Sequence, residues 1–429
     1  MTDRIPVTVL SGSLGAGKTT LLNHLLSTAG DRDIAVLVND MGDVNVDADL
    51  IAEESEVDVE GVTELSNGCI CCELQDDLET AVVRLANERS FDALVVESSG
   101  ISEPAPVARL FTTESRAAAR YHVDALVTVV DTRQFLDAFA GDEAPTRRVD
   151  PDAIGGTDVA DTERDRPLSD LLVEQIEVSN VVVCNKADLC TDAELEEAVG
   201  LVGALQPGAE TIVTEFAAID PDRILGVDLF DESEVGDLPG WKRALEEAQS
   251  ESSDGTDGTG DDHGDDHHGH GHRHPDEVYG VTSFTYRRRR PFHPDRIAAL
   301  LGDLPADVVR SKGTLWVAGV DQRQQVGQAG RSVRVEALGP WIASLPPVER
   351  DMLRSNRPGL DWDDDHGDRL TEYVAIGTGI DEDAIVDRLD DALVTDEEWD
   401  VFAGDGGRGG DSELPVPTEQ GDAVALREP

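Results

Sequence analysis

An apolar run over residues 4–12 ends in Gly12-Ser13-Leu14-Gly15-Ala16-Gly17-Lys18-Thr19, and a stretch carrying Leu21, Leu22, Leu25 and Leu26 on one helical face follows. That order limits the fold more than any other feature of the chain. A glycine-rich turn between a strand and a helix points backbone N–H groups and the helix N-terminus at an anion. The string fits G-x-x-x-x-G-K-[ST] and has the flanking elements that the pattern needs. A strand feeding such a turn belongs in a buried parallel sheet, with the helix packed on it. Gly12, Ser13, Gly15, Ala16, Gly17 and Thr20 are therefore assigned to cradle phosphates. Lys18 reaches the β/γ-phosphates, and Thr19 offers its hydroxyl to Mg²⁺.

Alternation continues beyond the loop. Residues 34–38, 93–96, 125–130, 180–184 and 211–216 read as further strands. Helical stretches at 168–178 and 191–205 lie among them, the second opening with a capping box, Thr191 and Glu194. The fold class expected is α/β: a phosphate-loop domain whose mainly parallel sheet is flanked by helices, plus a smaller C-terminal α+β domain. The first domain is expected over 1–245, with an acidic insert at 141–166. A His/Asp/Gly-rich flexible linker follows over 246–276. The α+β domain takes 277–400, with strands at 278–286, 308–318, 332–337 and 370–376 and helices at 294–301 and 381–393. Residues 401–429 read as a disordered acidic tail.

Composition narrows the partners. The chain holds 90 acidic and 35 basic residues, a net charge of −55. Such a surface repels phosphate backbones, so nucleic acid is not expected. The excess of acid with few lysines suits a high-salt cytoplasm, a halophilic trait. No stretch of about 18 apolar residues exists, so no membrane span is expected. The N-terminus lacks a secretory pattern, and a cytoplasmic location follows as an expectation. Of the four lysines, Lys18, Lys186, Lys242 and Lys312, two sit in nucleotide motifs, against 31 arginines elsewhere. A compact ammonium fits between phosphates where a planar guanidinium does not.

Four further motifs carry chemistry. Asn185-Lys186-Ala187-Asp188 closes a strand. The Asp188 carboxylate can accept from the guanine ring N–H and amine, while Lys186 lies along the base and Asn185 ties this loop to the phosphate loop. Glu97-Ser98-Ser99-Gly100 follows another strand; Glu97 can hold a Mg²⁺-bound water and Gly100 can give its N–H to the γ-phosphate. Lys18, Thr19 and Glu97 are the catalytic candidates. Asn39-Asp40-Met41-Gly42-Asp43 has the position of a nucleotide switch, with Asp40 a candidate metal contact. Cys69-Ile70-Cys71-Cys72 is too crowded for a structural zinc site of the usual spacing. Two of its thiolates plus an outside ligand would select Zn²⁺, Co²⁺ or Cu⁺ over Mg²⁺, and an incomplete shell suits transfer; redox switching and inert packing stay open. Cys184 and Cys190 read as structural. His263, His267, His268, His270, His272 and His274 form a loading or buffering tract, or a solvated linker. Arg287, Arg288, Arg289 and Arg290 pair with acidic surface or face a partner, with a nucleic-acid patch the weaker option.

The order of these motifs resembles the CobW-like GTPases, relatives of the nickel-inserting urease and hydrogenase accessory GTPases. The resemblance runs through the phosphate loop, Asn39-Asp40-Met41-Gly42, Gly68-Cys69-Ile70-Cys71-Cys72, Glu97-Ser98-Ser99-Gly100, Gln175-Ile176 and Asn185-Lys186-Ala187-Asp188. It continues in Arg310-Ser311-Lys312-Gly313-Thr314-Leu315-Trp316 and Gly367-Asp368-Arg369-Leu370. It implies a GTP- and Mg²⁺-dependent metallochaperone that delivers Zn²⁺ or Co²⁺ to a client metalloprotein or a cobalt-cofactor pathway enzyme, with a homodimer left open. One departure stands out: the family usually has Glu-Phe where this chain has Asp40-Met41. A GTPase regulator without metal cargo and a nucleotide-independent metal store are the competing readings. Cys71→Ser is expected to weaken metal binding and leave GTP binding intact, both read by titration; unchanged metal affinity would count against the thiolate assignment.

Overall fold

The computed structural model describes residues 4–30, 32–38, 62–64, 72–98, 100, 104–112, 115–139, 168–231, 281–357, 360–404 and 414–428. It divides into two compact units, Met1–Gly240 and Trp241–Pro429. In the first unit seven strands form one sheet: β1 (Ile5–Gly12), β2 (Ile34–Val38), β3 (Val62–Glu64), β4 (Ala93–Glu97), β5 (Tyr121–Asp131), β6 (Val181–Asn185) and β7 (Glu210–Val213). Their order is β3-β2-β4-β1-β5-β6-β7. Every pairing is parallel. Helices α1 (Lys18–Thr28), α2 (Cys72–Glu88), α3 (Pro104–Thr112), α4 (Thr132–Phe139), α5 (Leu168–Glu177) and α6 (Asp192–Leu205) accompany the sheet.

The strands are buried on both faces because successive side chains point to opposite sides. On β1, Leu10 joins a core with Leu21, Leu22 and Leu25 of α1 and Val127, Val129 and Val183 of the neighbouring strands. Val7 and Val9 point the other way, into a core with Leu78 and Val82 of α2 and Val107 and Phe111 of α3. Continuous Val/Leu runs are thus what this sheet needs. The predicted capping box on α6 forms: Thr191 Oγ1 accepts from Glu194 N, and Glu194 Oε2 accepts from Thr191 N at 2.8 Å.

The second unit is an antiparallel sheet of β8 (Val281–Arg288), β9 (Val308–Leu315), β10 (Gln322–Ala329), β11 (Ser332–Pro340), β12 (Thr371–Thr378) and β13 (Ala423–Arg427). The order is β13-β11-β10-β9-β12-β8. Helices α7 (Pro294–Gly302), α8 (Pro347–Ser355), α9 (Glu382–Ala392) and α10 (Asp396–Gly404) belong to this unit. Ile297, Leu300 and Leu301 of α7 and Ile385 and Leu389 of α9 pack on Phe284, Leu315, Val326, Val335 and Tyr373. Arg296 forks onto Glu398 with contacts of 2.9 and 2.7 Å, holding α10 and drawing the Glu398 carboxyl down to about 2.

Two elements of this unit depart from the sequence reading, one strand that it did not contain and one in the tail that it took as disordered. The glutamine-rich β10 has too little apolar alternation to announce itself, yet it pairs on both edges. Ladder bonds and burial override its weak propensity: Gln328 Nε2 donates to Val308 O at 2.7 Å and Gly330 O at 2.6 Å. The tail is not structureless over 414–428. Val416 is buried in the core, and β13 caps the edge of β11, covering backbone groups that would otherwise stay open. Arg427 fastens it by donating to Leu304 O at 3.0 Å and to Arg331 O.

The arginine run resolves in favour of acidic surface of its own unit. Arg287 pairs with Asp361 and Glu372, Arg288 with Asp390, Arg289 with Asp361, and Arg290 with Asp396. Among the described residues no helix is long and apolar enough to cross a membrane. The insert at 141–166 and the tract over 246–276 lie outside the described residues.

Gly313 of β9 marks a close strand contact of this sheet. A Cβ there would stand 2.2 Å from Glu372 O on β12. Gly313→Ala is therefore expected to push the two strands apart and destabilise the unit by about 1–3 kcal/mol, as denaturant unfolding would show.

Candidate nucleotide site

All seven parallel strands end on the same edge of their sheet, and ligands of open α/β sheets bind outside that edge. There β1 delivers Gly12, β4 delivers Glu97, β5 delivers Asp131 and β6 delivers Asn185. The turn after β1 is set by two close approaches. Gly12 takes φ 141°, and a Cβ on it would lie 2.1 Å from Val129 O. Gly17 takes φ 109°, and a Cβ there would lie 2.4 Å from Asn185 Nδ2. Only glycine satisfies both demands.

Gly17 is also the N-cap of α1. It gives no side-chain cap, and the first turn carries no acid, so the helix presents its positive end to the loop. Lys18 is buried; its Nζ donates to Gly12 O at 3.0 Å and Ser13 O at 3.3 Å, which holds the ammonium inside the curve of the loop. Ser13 Oγ donates to Gln134 Oε1 at 2.8 Å, tying the loop to α4. Thr19 follows Lys18, half-buried, in the first turn of α1, and Thr20 is exposed. Gly100 stands against the loop from the other side: a Cβ on it would meet Leu14 N at 2.8 Å and Lys18 Nζ at 3.3 Å. The Glu97 carboxylate, 2% exposed, sits at the end of β4 in register with Leu10 of β1. A cradle of backbone N–H groups, one ammonium, one hydroxyl and one buried carboxylate fits the charge and hydrogen-bonding needs of a nucleotide phosphate.

The second loop starts at Asn185. Its side chain is buried and works in two directions: Nδ2 donates to Ala16 O at 2.8 Å, and Oδ1 accepts from Ala217 N at 2.8 Å. The predicted tie between the two loops is thus present, and it extends to a third segment. Thr132 Oγ1 donates to Asn185 O at 2.7 Å. Lys186 has φ 60°, and its ammonium bonds Asp131 Oδ2 at 2.7 Å. Asp131 Oδ1 accepts from Gln134 N at 3.0 Å, so one carboxylate places the base-loop lysine and starts α4. Asp188 lies exposed in the 3-10 turn Ala187–Leu189. Beneath the site, Thr128 Oγ1 is 2.7 Å from Ser11 Oγ, 2.6 Å from Ser179 Oγ and 3.0 Å from Gln175 O, a buried polar chain joining β1, β5 and α5.

Asp131, Thr132, Gln134 and Ala217 were missed in the sequence. Asp131 ends an apolar run, a signal that strand-end acids share with many solvated residues. Ala217 has no side-chain signal at all, since its N–H does the work. The thiols beside the tetrad loop are held away from the thiolate form. Burial, then the nearby Cys190, pushes Cys184 up to about 12, and burial followed by Glu194 raises Cys190.

Other predicted residues fall elsewhere. Asp40, Cys69, Cys71 and His263, His267, His268, His270, His272 and His274 lie outside the described residues. Cys72 opens α2, but its side chain is outside them too. Among the described residues no group of three or more His, Cys, Asp or Glu could hold a metal ion.

Comparison with known proteins adds two matches along the chain. The family described as CobW/HypB/UreG, nucleotide-binding domain, matches residues 6–213, and the Cobalamin synthesis protein cobW C-terminal domain matches residues 281–393. The Zinc-regulated GTPase metalloprotein activator 1 of Dictyostelium discoideum is 34% identical over 418 residues, covering 92% of this chain and 81% of that protein. The Zinc chaperone CobW of Pseudomonas aeruginosa is 34% identical over 221 residues, covering 49% of this chain and 56% of that protein. Zn(II)-bound YjiA GTPase from E. coli aligns with TM-score 0.36 and 18% identity over 91% of this chain and 99% of that structure.

Asn185→Asp keeps the acceptor for Ala217 N but replaces the donor to Ala16 O by a repelling oxygen. It is expected to cost about 1–3 kcal/mol in denaturant unfolding and to weaken guanine-nucleotide binding in a fluorescent-analogue titration.

Proposed function

The chain belongs to the CobW/HypB/UreG family, and from that premise we propose that it couples GTP hydrolysis to the delivery of a bound Zn²⁺ or Co²⁺ ion. It is a GTPase of that family. The observation that carries the reading is the Asn185 side chain, which locks the phosphate loop to the base-reading loop. Gly12, Ser13, Gly15, Ala16, Gly17, Lys18 and Gly100 surround the phosphates, while Lys186 and Asp188 read the base. Thr19 and Glu97 hold Mg²⁺, which, when bound, neutralises charge on the phosphate oxygens.

Zinc is favoured by the relatives, two of which are named for zinc regulation or zinc chaperoning. In this reading the carriers on this chain are Cys69, Cys71 and Cys72, with Asp40 of the switch-like segment and the histidine tract as a loading arm. The thiolates suit an ion meant to leave, since the protein supplies an incomplete shell. The recipient is a client metalloprotein or a cobalt-cofactor enzyme. Nucleotide state can drive release only when the ion binds one state more tightly than the other.

Calorimetric titration of Zn²⁺ and of Co²⁺ into the protein holding a non-hydrolysable GTP analogue, and into the GDP form, tests this directly. Tighter binding in the GTP-analogue form is expected. Equal affinity in both forms would sink delivery. GTP turnover indifferent to Zn²⁺ would then point to a regulator, and high metal stoichiometry independent of nucleotide to a store.

A further inference from the structure

Among the described residues, four that are not glycine take a positive φ: Lys186 (60°), Phe216 (54°), Ala217 (53°) and Asp228 (51°). Three of the four gather at the base-reading loop. For a bulky aromatic residue this conformation is an outlier, and such strain collects at ligand clamps when its surroundings over-determine it.

Those surroundings are well defined. Thr214 N donates to Cys184 O at 3.0 Å, and Ala187 N donates to Thr214 O at 3.2 Å, so the turn after β7 is stitched to the base loop. Thr214 Oγ1 donates to Ala218 O at 3.0 Å, and Ala218 N donates to Glu215 O at 3.2 Å, closing residues 215–218 on themselves. Ala217 is fully buried and bonded through its N–H to Asn185 Oδ1. Phe216, between these fixed points, is 73% exposed.

An exposed position at positive φ is one where glycine or asparagine sits at less cost. A phenyl ring there adds nothing to either core of this unit. It does add a flat apolar face beside the one loop that reads a base. Across the Asn185 joint, Lys186 is held by Asp131, so its ammonium is anchored at one side of the same region.

We propose that Phe216 is a base-stacking residue: its ring packs on the face of the guanine whose edge Asp188 reads, and the base lies between the loops 185–188 and 214–217. The inference rests on the guanine-nucleotide reading above and adds to it a contact with the face of the base. Stacking is blind to the base edge, so Phe216 sets affinity while Asp188 sets the choice of base.

Titration of GDP, IDP and ADP into the full chain and its Phe216 variants separates these roles. Phe216→Ala is expected to weaken GDP and IDP binding by the same factor, about tenfold. Phe216→Trp is expected to restore it. Phe216→Gly is expected to lose affinity too, with a nucleotide-free melting temperature no lower than that of the natural protein, because glycine takes this φ freely. Affinity of Phe216→Ala within about twofold of the natural chain would overturn the stack. So would a loss that follows a lowered nucleotide-free melting temperature, or a changed GDP-to-IDP ratio. A natural chain that binds ADP as well as GDP overturns the guanine assignment and leaves the stack standing, provided Phe216→Ala weakens both.

Discussion

The nucleotide end of this protein depends on one buried amide. Asn185 stands at the end of β6 and bonds at once to Ala16 O in the phosphate loop and to Ala217 N in the turn after β7. Three segments far apart in the chain thereby share one geometry. A buried amide with both ends satisfied is stable, and it is intolerant of exchange, because losing either partner leaves a polar group without water. Gly17 shows how tightly the joint is built: any side chain there would run into the Asn185 amide. The glycine loop after β1 and the tetrad loop after β6 are consequently one arrangement.

Around this joint the strands deliver acids and hydroxyls to a common edge. Asp131 places Lys186 and starts α4, and Gln134 on that helix receives Ser13 of the phosphate loop. The parallel sheet makes this convergence possible, since every strand end faces the same side. The same arrangement accounts for the strain at Lys186 and Phe216. Backbone conformations that cost energy persist where several hydrogen bonds hold them, and here those bonds come from the two loops and from β6.

The charge pattern has a structural counterpart in the second unit. Each of the four consecutive arginines from Arg287 to Arg290 finds a carboxylate within its own unit. A basic string inside a strongly acidic chain is thus absorbed internally. Lysine remains where a compact ammonium is needed: Lys18 inside the phosphate loop and Lys186 against Asp131.

Much of the fold could be read directly. The Val/Leu runs of β1, β2, β4, β5 and β6, the glycine loop and the capping box of α6 are local signals with local causes, and each took the structure expected of it; the strand read over 211–216 stops at Val213, and β3 was not read at all. The Asn185 tie was legible for the same reason, because its tetrad is a contiguous string. The glutamine-rich β10 and the tail strand β13 were not legible. Their conformation comes from backbone ladders offered by neighbouring strands, and such pairing leaves little mark on composition. Phe216 and Ala217 were invisible as site residues because a left-handed turn and a donated N–H have no sequence pattern of their own. The sequence by itself determined the strand–loop–helix cradle, the tetrad and the two-part layout, since periodicity and glycine spacing act within a few residues. Tertiary structure alone decided which distant loops meet at Asn185, because that meeting is imposed by the order of strands in the sheet.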